Sequence, residues 1–308
     1  MLTSQLRRTS AAVDAAVGAA RDLGLAVTDA KVLHDVFSVV VHLAPEPVVA
    51  RVPTVLPPSE DLASLARRQR SELDVAQWLA DQGIPVIPPS KLEPVQRDGF
   101  SITFWQYVEE DKGKEPDYVA NSESTADLHA ALRGYPGDLS FLSAADPAFV
   151  EEGLAQLDGE PDLISPDDLD RARREWQILA PLVRSQEAFE ARFPGIELQP
   201  IHGDSPPANI FNGVAGDLYS DFELVTLGPV EWDLAALGPE HIAAYNRGAA
   251  RNGSRPLDED VLHFVNAVGM LRVVATLTLT PQLPELVDYL KPAVEHWRTL
   301  PFAGGLAG

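Results

Sequence analysis

Apolar residues at Leu2, Leu6, Val13, Val17 and Ala20 recur with helical spacing and predict an amphipathic helix at the start of the chain. The period then shortens. Val32 to Leu43 is rich in β-branched residues and reads as extended, Ala44 to Pro47 is a proline-marked turn, and Val48 to Val52 is a second strand, together an antiparallel pair. Pro53 and Pro57-Pro58 end it, and Ser59 with Asp61 mark a helix start. From Asp61 to Gln82 the apolar positions Leu62, Leu65, Leu73, Ala76 and Leu79 return to the helical period, and Gly83 closes the helix. A proline-rich stretch from Ile84 and a polar turn at Gln96 to Gly99 lead to a strong strand, Phe100 to Val108.

The charged run Glu109 to Asp117 is the one connector of its kind, and a lobe boundary is placed there: residues 1–108 and residues 109–308. Beyond it the pattern is helical. One helix covers Thr125 to Leu132, Asp146-Pro147 caps another, and Ser165-Pro166 starts a third that Pro181 is expected to kink or split. Ala191 to Gly195 breaks the chain again. Two short strands, Asn209 to Asn212 and Leu218 to Phe222, follow the segment Ile201 to Phe211, and helices run to the end. The apolar segment Val261 to Thr280 carries His263, Asn266 and Arg272, so it is expected to be a buried helix and not a membrane span.

Composition changes this picture little. Hydrophobic residues make up 45% and charged residues 23% of 308, as in an ordinary globular protein. Cysteine is absent, so disulfides, thiolate metal sites and thiol nucleophiles are excluded, which fits a cytoplasmic location. Arg7-Arg8 before an alanine-rich run resembles a signal peptide only superficially, because Asp14 and Arg21 interrupt it. A net charge of −22 argues against a nucleic-acid partner, and it suits a cationic small substrate as well as it suits simple solubility. The oligomeric state has no sequence signal.

The chemistry concentrates at Ile201 to Phe211, I-H-G-D-S-P-P-A-N-I-F. Two prolines exclude a helix interior and a central strand, so this is a stiffened loop that positions side chains. Asp204 and Asn209 are separated by four residues, and Asp221 follows in Y-S-D-F-E. In kinase-type phosphoryl transfer one Asp orients the hydroxyl and takes its proton, while an Asn and a second Asp hold Mg²⁺ on the nucleotide phosphates. Mg²⁺ is hard and takes oxygen donors, which is why these residue types are needed. No zinc-type ligand spacing, phosphate-binding G-x-x-x-x-G-K-[ST] or G-x-S-x-G motif is present.

H-G-D-S-P-P-A-N-I-F, S-D-F-E and L-G-P-V-E-W-D-L-A together resemble the aminoglycoside phosphotransferase family of kinase-like enzymes. V-V-A-R-V at Val48 resembles the strand that presents a cation to the phosphates, R-S-E-L-D-V-A-Q-W-L at Arg70 the helix whose glutamate pairs with that cation, and D-L-H-A-A-L at Asp127 the helix beneath the catalytic loop. The likeness spans roughly residues 30 to 240 in scattered motifs. It implies an α+β, two-lobed, protein-kinase-like fold: a small N-lobe antiparallel sheet with one long helix, a larger mainly helical C-lobe, and ATP (or GTP) between them. It implies Asp204 as catalytic base, Asn209 and Asp221 as Mg²⁺ ligands, Arg51 paired with Glu72, and the strand and hinge at Gln106, Tyr107 and Val108 against adenine. Two departures stand out: arginine replaces the usual lysine at 51, and Ser38 with nearby amides stands where a glycine-rich loop would cover the phosphates.

The implied activity is phosphorylation of a small-molecule hydroxyl, foremost on an aminoglycoside or related amino-bearing antibiotic. Choline-, homoserine-, fructosamine- or macrolide-type kinases are the alternative, and a nucleotide-binding pseudokinase is a further one. Several neighbours have blander readings. Asp233 reads as a helix N-cap and Trp232 as core. His129 reads as a packed helix residue, and His202 as a buried histidine bonding backbone carbonyls. Glu223 reads equally as a metal-tuning or a solvated carboxylate.

Overall fold

The computed structural model describes residues 2–56 and 60–306, so the predicted chain break at Pro57-Pro58 and the helix-start signal at Ser59 lie outside the described residues. The chain divides into two compact units, one of residues 1–116 with 210–223, the other of 117–209 with 224–308.

The first unit contains α1 (Leu2–Asp22), β1 (Asp29–Asp35), β2 (Ser38–Ala44), β3 (Val48–Pro53), α2 (Leu62–Asp81), β4 (Val95–Arg97) and β5 (Phe100–Gln106). The five strands form one antiparallel sheet in the order β1-β2-β3-β5-β4. On α1 the alanines 12, 15, 16, 19 and 20 are all buried at helical spacing. Their small side chains let the helix pack on Val39, Val41, Leu43, Ala50, Val52, Ile102 and Phe104 of the sheet. Asp61 caps α2 by accepting from the Ser64 amide at 2.6 Å, and Gly83 closes it at a φ of 76°.

Three expectations change here. The run Val32 to Leu43 is two strands rather than one, turning at Val36-Phe37; both sides carry β-branched residues, so the pattern hid the turn. The polar stretch Gln96 to Gly99 is partly the edge strand β4, and the turn proper is Asp98-Gly99, both at positive φ. β5 ends at Gln106 and not at Val108, because β3 begins at Val48 and Pro47 before it has no N–H to continue the ladder.

The second unit holds α3 (Tyr118–Leu132), α4 (Pro147–Gln156), α5 (Pro166–Arg184), α6 (Gln186–Arg192) and strand β6 (Gln199–Ile201). The hairpin β7 (Ile210–Gly213) and β8 (Gly216–Tyr219) returns to the first unit, where Tyr219 bridges to Val86. β9 (Thr226–Gly228) then pairs antiparallel with β6, and α7 (Pro239–Arg251), α8 (Glu259–Thr276) and α9 (Val287–Thr299) complete the second unit.

α3 begins seven residues before the predicted Thr125, at a cap where Asp117 accepts from the Ala120 amide at 2.9 Å. Its buried face includes Asn121, Ser122, Thr125 and His129, so hydrophobic periodicity could not reveal it. Asp146 and Ser165 cap α4 and α5 as expected. Pro181 neither splits nor ends α5, which continues to Arg184. The proline is exposed in the final turn, and Gln177, whose carbonyl loses its donor, is exposed too, so water can replace it. α8 is apolar around most of its circumference because it lies inside the core, with Val261, Phe264, Val265, Val268, Leu271 and Val274 fully buried. By length and composition alone, 259–279 would pass for a membrane span; 61% of its most apolar window is buried in the protein.

Candidate functional site

The loop after β6 is built around one carboxylate. Asp233, itself fully buried, accepts the His202 amide at 2.8 Å through Oδ2 and the Gly203 amide at 2.7 Å through Oδ1. His129 Nε2 donates to the same Oδ2 at 2.8 Å, and its Nδ1 is hydrogen-bonded to the Tyr245 hydroxyl, also at 2.8 Å. Asp233 is therefore a brace between α3, α7 and the loop, not the N-cap expected of it; a short 3₁₀ turn, Val230–Leu234, rather than a helix start surrounds it. Trp232 is buried, and its indole N–H donates to the Gly203 carbonyl at 2.9 Å. Gly203 has a φ of 90°, and a Cβ there would lie 1.9 Å from the Leu224 carbonyl oxygen, so only glycine fits.

On this mount the loop turns outward. His202 is fully buried, and its Nδ1 accepts the Asp204 amide at 3.3 Å. Pro206–Ala208 form a 3₁₀ turn that Asn121 of α3 holds by donating to the Pro207 carbonyl at 2.9 Å. Asp204 itself is exposed. Asn209 donates its Nδ2 to the Asp204 carbonyl at 2.7 Å, which orients its Oδ1, the atom a hard cation takes, away from that bond.

In the first unit, Arg51 on β3 is the centre of a second cluster. One guanidinium nitrogen donates to Glu72 of α2 at 2.8 Å; another meets Asp221 at 2.9 Å and Glu223 at 2.6 Å. Burial alone would lower the Arg51 pKa, but Glu72, Asp221 and Glu223 together hold it above its ordinary value. Burial pushes Glu72 up to about 8 against the pull of Arg51, with Asp221 and Glu223 adding to the rise. Asp221 has a φ of 64°, a left-handed conformation that Asp tolerates better than most residues. Glu223, undecided from sequence, is thus a partner of Arg51. Nothing local signals this, since 172 residues separate the two.

Three carboxylates around one guanidinium leave a surplus of hard oxygen donors, which suits a divalent cation beside phosphates. No group of three or more His, Asp or Glu side chains that could hold an ion unaided occurs among the described residues. Mg²⁺ commonly takes one or two protein ligands and completes its shell with phosphate and water.

The remaining predicted residues also belong to the first unit. Ser38 opens β2, buried, opposite Pro53. Gln106 ends β5 with its amide bonded to the Pro88 carbonyl at 3.0 Å, and the Tyr107 amide is bonded to Pro47 at 2.9 Å. The Tyr107 ring stacks on His42 with centroids 4.0 Å apart. Val108 follows, its side chain beside Gly213 of the hairpin.

The phosphotransferase enzyme family model matches residues 38–265, well over half of the chain. Among curated proteins none matches it in sequence. Solved structures share the fold at low identity. The GDP complex of wild-type aminoglycoside 2'-phosphotransferase-IIIa has a TM-score of 0.60 at 14% identity, covering 91% of this chain and 97% of that one. A choline/ethanolamine kinase family protein from Mesorhizobium loti has a TM-score of 0.58 at 16% identity, covering 100% and 98%. Spectinomycin phosphotransferase, solved with ADP and spectinomycin, has a TM-score of 0.58 at 12% identity, covering 91% and 95%. Identities this low speak for the fold, and the family match speaks for the chemistry: the chain belongs to the phosphotransferase enzyme family and is a kinase-like small-molecule phosphotransferase.

Proposed function

We propose that the protein transfers the terminal phosphoryl group of ATP to a hydroxyl of a small molecule, with Mg²⁺ as the metal. The observation that carries this reading is the mounting of Asp204: an exposed carboxylate on a loop whose two preceding amides are both clamped by buried Asp233. Such a carboxylate can hold an acceptor hydroxyl in one orientation. As the acceptor oxygen bonds to phosphorus its proton passes to Asp204, and the bond to the bridging oxygen breaks with its electron pair leaving on ADP. Asp221 and Asn209 would hold Mg²⁺, which when bound neutralises phosphate charge. Arg51 would turn its fork to phosphate oxygens with Glu72 keeping the guanidinium in place. With the Gln106 and Tyr107 amides engaged inside the first unit, recognition of the base would fall to the carbonyls of this segment and to the Val108 main chain. Ser38 would serve the phosphates from the start of β2, and GTP is the alternative donor. A cytoplasmic location would supply the ATP that this reading requires.

An amino-bearing acceptor of the aminoglycoside kind is supported by the acidic chain and by fold neighbours solved with such compounds. A metabolic alcohol is the alternative, supported by the choline kinase neighbours. The test is transfer of label from ATP across aminoglycosides, peptide antibiotics and small amino alcohols, with Asp204→Ala beside the wild type. Label in an acceptor with the wild type alone supports the reading; equal transfer by Asp204→Ala refutes it.

A further inference from the structure

Arg272 is the one lysine or arginine in α8. Its Nε is buried without a hydrogen-bond partner, and its side chain makes no ion pair among the described residues. The other arginines set into the second unit are treated differently. Arg171 pairs with Glu175 and donates to two carbonyls, Arg173 pairs with Asp158 and a carbonyl, and Arg255 pairs with Glu231 and a carbonyl. The side chain is half-buried, and a buried N–H donor left unbonded opposes folding, so the position calls for an occupant that balances it.

The carboxylates that act on Arg272 through space are first Asp204 and then Asp146. Asp146 is engaged as the cap of α4, accepting the Phe149 amide at 3.1 Å. Burial depresses the Arg272 pKa against the pull of both. The cation is thus part of the electrostatic surroundings of the proposed catalytic carboxylate, held short of either acid.

We infer that Arg272 is an oxyanion-binding residue within electrostatic reach of Asp204, its planar fork taking two oxygens of a phosphoryl, carboxylate or related group. The inference rests on the phosphotransfer reading of Asp204. The oxyanion is either the phosphoryl group in transit or an acid group on the acceptor, which would then be a hydroxy acid or phosphorylated alcohol. The fork geometry of arginine suits both.

The experiment uses the full chain and inorganic phosphate as the probe, without nucleotide or metal. Calorimetric titration is run on the wild type, Arg272→Met, which keeps the bulk of the side chain, and Arg272→Lys. Phosphate affinity should fall at least about tenfold in Arg272→Met and recover in part in Arg272→Lys, as removal of a charge-assisted contact requires. In phosphate-free buffer the melting temperature of Arg272→Met should stay level or rise, because a buried, unbonded N–H is removed. Equal phosphate affinity in wild type and Arg272→Met, or no binding by the wild type, overturns the inference; a lower melting temperature with unchanged affinity would mark a purely structural arginine and overturns it too. ATP hydrolysis without acceptor then separates the sources. A tenfold loss in Arg272→Met assigns the phosphoryl group, whereas unchanged hydrolysis with a raised KM for acidic acceptors assigns the acceptor. Wild-type protein that binds phosphate through Arg272 yet turns over no ATP would defeat the phosphotransfer reading and leave the anion site standing.

Discussion

A buried carboxylate and an exposed one divide the work of the loop. Asp233 touches no solvent and satisfies two amides and a histidine. Asp233→Ala would strand those donors, and we expect a loss of about 3 kcal/mol in urea unfolding, since breaking a buried charged hydrogen-bond set is costly. Asp233→Asn keeps one acceptor and should lose less. Asp204 is exposed, and Asp204→Ala should leave the unfolding midpoint within error. Its kcat should nevertheless fall roughly 10²- to 10⁴-fold, the usual contribution of a positioned acid or base. Equal destabilisation by both substitutions would contradict this division.

Among elements, the Arg51 fork joins β3 to α2 and to the turn after β8. Lysine has a single nitrogen and cannot serve Glu72 at one end and Asp221 with Glu223 at the other in the same way. Arg51→Lys should therefore cost about 1–3 kcal/mol in the absence of ligands, as one carboxylate loses its partner. Adding Glu223→Gln should recover part of it, and strict additivity in this double-mutant cycle would disprove the coupling. The legibility of elements followed the same line between local and distant causes. α2, α4 and α5 were readable because caps and apolar spacing lie within a few residues. The first turns of α3 were not, because their buried side chains are polar and their partners, such as Pro207, come from far along the chain. The turn at Val36-Phe37 was missed because no glycine, proline or asparagine marks it.

For the whole molecule, the two units are assembled from interleaved segments, with residues 210–223 belonging to the unit that starts the chain. Nucleotide binding should thus stabilise the protein as a whole. Under the proposed function, ADP with Mg²⁺ at a hundredfold excess over Kd should add about 2.7 kcal/mol, read as a rise in Tm. ADP with EDTA should give a smaller rise. Equal rises would remove Asp221 and Asn209 as metal ligands, and the absence of any rise at millimolar nucleotide would favour the pseudokinase alternative.

By itself the sequence determined the features written in short-range code: strands ahead of helices, the caps of α2, α4 and α5, and a proline-stiffened loop bearing His, Gly, Asp and Asn. These follow from spacing, capping and missing amide donors, which act over a few residues. Tertiary structure alone decided which charges are neighbours. Asp233 became the brace of the loop, Glu223 a counter-ion of Arg51, and Arg272 a cation that makes no ion pair among the described residues and feels the charge of Asp204. The physical reason is that a buried charge is defined by what desolvates it and what pairs with it, and both are brought by packing from segments remote in the chain.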